Sequence, residues 1–259
     1  MTATIAIERP APTAHPGWRS CTAPSNIQPP PVARFVELTR QSRASEIETL
    51  AMTCDAWMRR PWWLPVPLQI RMSHRLGIAF VHEIEIGRGV ASHRVGLDAF
   101  VDGRGAMIVG RTIQTGPTFD QGARIAMWGE ALIFPASWLS RTDVGWESVD
   151  ARTARFIVPS PDGDLPILVS FDPATGLPTQ CAADRYKGVG RLTRWYGAWS
   201  DWAVGPEDVL APRRMLVRWA DEPYPWLTIR VNGLTVNGAV DATFDRARDA
   251  MRAPASRRD

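Results

Sequence analysis

One acid, Glu130, stands among apolar residues in the segment FDQGARIAMWGEALIFP, and it is the residue best placed to do chemistry. On the pocket side of an apolar helix its carboxylate would lose water. Its pKa would then rise and make it a general acid or base. Buried carboxylates are normally paired, and Arg185 in the segment ADRY is the expected partner; that ion pair would make Glu130 structural. Arg185 can equally hold a ligand carboxylate through its bidentate fork. Asp184 and Tyr186 flank it and, in a strand, point to the other face, so Tyr186 is a second ligand-binding candidate. His82 lies on the apolar face of its own strand, with His74 and His93 in neighbouring segments. Histidines on adjacent strands can bind a metal, but no tight spacing supports one here. His82 is therefore assigned to a pocket wall, and neither a metal nor a cofactor is expected.

Tryptophan is the unusual component: 12 Trp stand against 3 Tyr and 8 Phe. Trp195, Trp199, Trp202, Trp219 and Trp226 cluster near the C-terminus, with Trp195 and Trp199 on one strand face and Trp202 on the other. Together with Trp128 on the helix, Trp195 and Trp199 are expected to line an aromatic pocket for a flat or isoprenoid-like guest, core packing being the plainer role. Nucleophile and phosphate-binding motifs (G-x-S-x-G, the P-loop, a strand-to-helix G-x-G-x-x-G) are absent.

The elements that position these residues follow from periodicity. A helix is expected over 119–133, capped by Asp120, striped by Ile125, Trp128 and Leu132, and stopped by Pro135. From residue 66 to 240 the dominant period is two. In IAFVHEIEIG, Phe80, His82, Ile84 and Ile86 share a face. Further strand signals recur between turn-like breaks such as Asp102-Gly103, Asp162-Gly163 and DPATG, which suit antiparallel hairpins. Asp102 and Arg104 read as a solvated hairpin tip. Residues 32–60 read as helical: Ser45 caps a helix carrying Ile47, Leu50, Cys54, Trp57 and Met58, which Pro61 ends, after a shorter helix around Phe35. Residues 1–31 hold seven of the 22 prolines and read as a disordered tail, and residues 241–259 as a frayed one. The fold class is α+β: a large curled antiparallel sheet, an incomplete β-barrel, with helices on its concave face and a helical segment before it. Residues 32–240 form a single domain.

Composition narrows the partners. The net charge of +3 over 259 residues, with basic residues spread along the chain, gives no nucleic-acid footprint. Three widely spaced cysteines form neither a disulfide framework nor a zinc motif and fit a reducing compartment. No signal peptide is visible and no apolar run reaches the length of a membrane span, so a cytoplasmic location is expected, with peripheral membrane contact allowed.

The blocks DAFVDGRG, FDQG-to-WGEALIFP, VGWESVD, FDPATGLP, ADRY, W-S-D-W and ADEPYPW resemble a large bacterial family of unknown function over roughly Trp63 to Asn237. That family is similar in strand order to the LolA/LppX-like lipoprotein-carrier half-barrels. The resemblance implies an open barrel whose helices plug an apolar cavity able to hold a lipid-like guest. The chain departs from exported carriers in showing no lipobox. Binding of a hydrophobic small molecule or lipid is the expected function. The alternative is a cofactor-free isomerase, cyclase or hydratase using Glu130, which requires that Glu130 lack an ion-pair partner. A third reading makes the Pro-rich tail a docking peptide.

Overall fold

The computed structural model describes residues 28–40, 47–59, 64–87 and 93–252. Residues 1–27 of the Pro-rich tail, Ser45 and Pro61 lie outside the described residues, whereas Pro30 and Pro31, expected in that tail, open a helix. Period-two segments form β1 (Thr49–Met58), β2 (Val66–Arg75), β3 (Ala79–Ile86), β4 (His93–Val101), β5 (Arg104–Val109) and β6 (Thr112–Thr115). A second run comprises β7 (Gly145–Ser148), β8 (Thr153–Val158), β9 (Leu165–Phe171), β10 (Pro178–Lys187), β11 (Arg191–Val204), β12 (Leu210–Trp219) and β13 (Leu227–Val236). All belong to one 13-stranded antiparallel sheet in the order β6-β5-β4-β3-β2-β1-β13-β12-β11-β10-β9-β8-β7. Each run is a meander, and pairing of β1 with β13 joins the two at the middle of the sheet.

The edge strands β6 and β7 are linked by α2 (Pro117–Ala131) and a 3-10 turn at Pro135–Ser137. This helix touches β4, β5 and β6 from one arm and β9 and β10 from the other. In the sheet order β4 and β10 are seven strand spacings apart, about 33 Å along a flat sheet, whereas a helix with its side chains is about 10–12 Å wide. The sheet therefore bends until both arms reach one helix.

The main core is the inner face. Leu50, Met52, Cys54 and Ala56 of β1, Leu68, Ile70, Met72 and His74 of β2, and Phe80 and His82 of β3 all point into it. α1 (Pro30–Thr39) seats Phe35 against Phe171 and edge-on to Trp202, with ring centroids 6.3 and 6.2 Å apart. Gly105 lets α2 come close to β5: a Cβ there would lie 2.2 Å from the carbonyl oxygen of Phe119.

Four sequence expectations change. Residues 49–58 are strand, not helix. Leu50 and Cys54 satisfy the helical i, i+4 spacing, yet they also share a strand face, and pairing with both β2 and β13 settles the ambiguity. The C-terminal segment does not fray at residue 241: α3 (Asp241–Arg252) buries Phe244 and Ala247 on Val81, Leu97, Ala99 and Val101, the outer face of β3 and β4. That face is apolar and needs a cover. Asp102 is more than a solvated tip, because its carboxylate lies 2.8 Å from Nε of Arg248 on α3. Asp120 is not an N-cap; α2 begins at Pro117, two residues earlier than expected, with Gly116 before it.

The docking of α3 is open to measurement. Phe244→Ala removes a fully buried ring and is expected to cost about 3–5 kcal/mol, read as a lower urea midpoint. A frayed tail would leave the midpoint unchanged.

Candidate functional site

The FDQG segment fastens α2 to both arms of the sheet. Asp120 accepts a hydrogen bond from the backbone N–H of Gly105 in β5 at 2.7 Å. The Gln121 side-chain amide donates to the carbonyl of Asp184 at 2.9 Å and accepts from the N–H of Tyr186 at 3.2 Å. Pairing of β10 with β9 stops at Ala182, so Gln121 fills backbone positions that a neighbouring strand would otherwise satisfy. Next to it, Gly122 leaves room for Arg185, whose Nε would lie 3.3 Å from a Cβ at that position.

In the last turn of the helix, one residue before its end, Glu130 reaches the inner face of β2 and β3. Its Oε2 lies 3.0 Å from Nε2 of His82 and 3.2 Å from Nε2 of His74. The strand ladder explains the convergence. Met72 pairs with His82 and His74 with Phe80, which makes the two histidines diagonal neighbours on one face. Their ring centroids are 5.7 Å apart. Asp98 of β4 faces His82 across the next ladder. From the other arm comes Arg185, its guanidinium 5.5 Å from the Trp195 ring centroid and 5.8 Å from that of Trp219.

Electrostatics inside this nest are governed by desolvation and by one strong pair. Burial opposes ionisation of Glu130, but the His82 charge and its contacts with both histidines outweigh burial and hold the carboxyl at about 2. Burial also opposes charging of His82, and Glu130 reverses that, raising the imidazole above its ordinary value. Asp98 is pushed up by burial, against the pull of His82 and Arg185. Burial lowers Arg185, with Asp98 and Glu130 opposing. Two cysteine thiols, Cys54 and Cys181, are each raised to about 12, first by burial and in part by Glu130, so both are protonated and inert at neutral pH.

Several of the expected site residues move in meaning. Glu130 is paired with histidines, not with Arg185, and is held ionised, so its carboxyl carries no proton to donate at neutral pH. The acid/base reading required an unpaired Glu130 and loses its premise. Among the described residues Arg185 makes no ion pair within 4.0 Å, and its Nε is buried without an acceptor. Tyr186 alternates with Arg185 onto the opposite face and does not join the nest. Trp195 and Trp199 do share the inner face, where they are 4% and 5% exposed; Trp195 packs against Gly129 of α2, filling the interior. Trp202 was expected on the far face, but Asp201 adopts a φ of 54°, which breaks the alternation and turns the indole toward Phe35. His93 is exposed at the start of β4 and stays outside the cluster. Asp98 is the site residue that sequence reasoning did not name, and no apolar even face on β4 marked it; His74 was named but not placed in the site, although its even position on β2, beside Leu68, Ile70 and Met72, put it on the apolar face.

Trp128 lines a cavity of about 220 Å³ beside α2, floored by Phe100, Met127 and the indole itself. Two guanidiniums stack on that floor, Arg124 at 5.0 Å over Phe100 and Arg141 at 5.3 Å over Trp128. Arg141 is neutralised by Asp143. Arg124 makes no ion pair among the described residues; burial lowers its pKa, with Asp120 opposing. A second cavity, of about 430 Å³, lies between the β4–β5 hairpin and α3 and is lined by Asp102, Arg104, Asp120 and Arg248.

An open antiparallel sheet of this kind, with one helix touching both of its arms, is similar to the LolA-like folds. A LolA superfamily protein from Nitrosomonas europaea superposes with a TM-score of 0.51 at 9% identity, covering 82% of this chain and 96% of that one. A putative outer membrane lipoprotein-sorting protein domain from Vibrio parahaemolyticus (9% identity, 84% and 97% covered) and a DUF1329 family protein from Desulfovibrio piger (12%, 85% and 99%) each give 0.47. No curated protein matches the sequence. The family model for DUF6544, a family of unknown function, matches residues 22–229, and the chain belongs to that family.

The nest is expected to hold α2 in place. Glu130→Ala would leave His82 without its counter-charge. Because Glu130 is one-fifth exposed, the loss should fall near the low end for a broken buried pair, about 3 kcal/mol. Chemical denaturation of the variant measures it, and an unchanged midpoint would show that the pair contributes nothing.

Proposed function

We propose that this protein binds a hydrophobic small molecule or lipid carrying an anionic group. The observation that carries the reading is the cavity beside α2, which combines an aromatic and aliphatic floor with a guanidinium, Arg124, that makes no ion pair among the described residues. An apolar surface with a single fixed cation is the arrangement that orients an amphiphile: the chain covers Phe100, Met127 and Trp128 while the head meets Arg124. At about 220 Å³ the space falls below the roughly 300–1,000 Å³ usual for drug-sized ligands. It suits a short chain, or the head end of a longer one whose tail slides between α2 and the sheet.

Contacts of α2 with both arms support placing the helix on the concave face as a plug. The deeper guest site expected at Arg185, Trp195 and Trp199 belongs to this proposal as the space that α2 would vacate. There a guest would meet two buried donors without acceptors, Nε of Arg185 and the indole N–H of Trp195. The likeness to a LolA superfamily protein supports the architecture that such binding needs. A cytoplasmic setting is part of the same proposal, supported by the free thiols of Cys54 and Cys181. Among the described residues no helix is long and apolar enough to cross a membrane.

Native mass spectrometry of the protein purified without detergent is expected to show a bound amphiphile, and fatty acids to change tryptophan fluorescence more than the matching alcohols do. Arg124→Ala should weaken the acid about tenfold, or about 1.4 kcal/mol, and leave the alcohol unaffected. An empty protein whose fluorescence ignores both series would overturn the reading.

A further inference from the structure

We propose that His74, His82 and Glu130 bind a divalent transition-metal ion of the zinc class, through two imidazole Nε2 atoms and one carboxylate oxygen. The three ligand atoms lie within 4.8 Å of one another. The two edges that end on Glu130 Oε2 measure 3.0 and 3.2 Å. Four ligands about 2.0–2.1 Å from a zinc ion stand about 3.3–3.4 Å apart along the edges of a tetrahedron, so an ion enters with shifts of a few tenths of an ångström along those edges.

The second observation is an orphaned donor atom. Nε2 of His74 is buried and sits 3.2 Å from Glu130, yet it is not aligned for a hydrogen bond and has no other partner among the described residues. The two imidazoles and the carboxylate thus present their donor atoms to one small volume. The donors are also held rigidly: His74 stacks on Phe80 with centroids 6.1 Å apart, and Phe80 tilts onto His82 at 4.5 Å.

The chemistry of the donors favours zinc or cobalt over magnesium or calcium, which take oxygen ligands. Three protein ligands leave a fourth position, where water or a guest's anionic group can bind. Asp98, which faces His82 across the β3–β4 ladder, supplies a further negative charge, and Arg185 from the other arm opposes it. The site is independent of the cavity at Arg124, so either can exist without the other.

Isothermal titration of the full chain, stripped with a chelator, is expected to show one zinc ion bound per chain, with magnesium giving no heat. His74→Ala and His82→Ala should each weaken zinc roughly a hundredfold, at least as much as loss of a group that hydrogen-bonds and orients a ligand, while a His15→Ala/His93→Ala double variant keeps wild-type affinity. Side-chain NMR of the wild-type chain adds a readout that no variant's folding can spoil: zinc should shift the imidazole signals of His74 and His82. Absence of stoichiometric binding, unshifted His74 and His82 signals, or binding that survives both single variants and disappears in the double variant would each overturn the proposal.

Discussion

Everything in this molecule depends on a single helix having to satisfy two arms of one sheet. An antiparallel sheet of this size has apolar inner faces on both arms and two edges, and among the described residues the segment carrying α2 runs from one edge to the other. Apolar burial drives the closure at about 25 cal/mol per Å², but burial is non-directional and would accept the helix at many rotations. The polar contacts choose among them. Asp120 binds the β5 backbone, Gln121 binds β10, and Glu130 meets His74 and His82, so the ends of α2 are registered against opposite arms.

That arrangement explains why the interior is both crowded and charged. Trp195 packs on Gly129 and Arg185 on Gly122, so α2 sits close to β10 and β11 only because two of its positions carry no side chain. The ions there are largely withdrawn from solvent. Glu130, His82, Asp98 and Arg185 must compensate one another at short range, and the pair that touches, Glu130 with His82, dominates. A carboxyl held at about 2 is a fixed charge, suited to anchoring or to binding a cation, and unsuited to proton transfer near neutral pH. A cavity is left where the packing ends, beside Trp128 and Arg124.

Much of the architecture could be read from the chain. Alternation at Phe80, His82, Ile84 and Ile86, and hairpin signals such as Asp102-Gly103, locate strands and turns because they are local, backbone-level preferences. Errors arose where one pattern satisfied two periods or where a partner distant in sequence decided the outcome. Leu50 and Cys54 fit both helix and strand until β2 and β13 are known to flank them. α3 looked like a charged tail because its mean hydropathy is low; its stripe of Phe244 and Ala247 matters only against the apolar outer face of β3 and β4. Trp202 was placed by strict alternation, which a left-handed Asp201 cancels.

The sequence by itself determined the antiparallel α+β class, the helix that interrupts it, and Glu130 as the acid of interest, since each rests on the spacing of side chains along a few neighbouring residues. Tertiary structure alone decided what Glu130 meets. His82 is 48 residues away from it along the chain, and His74 is brought beside His82 only by the register of β2 on β3. No local pattern encodes such a meeting, because it depends on how the ladder is paired and on which way the sheet bends around the helix.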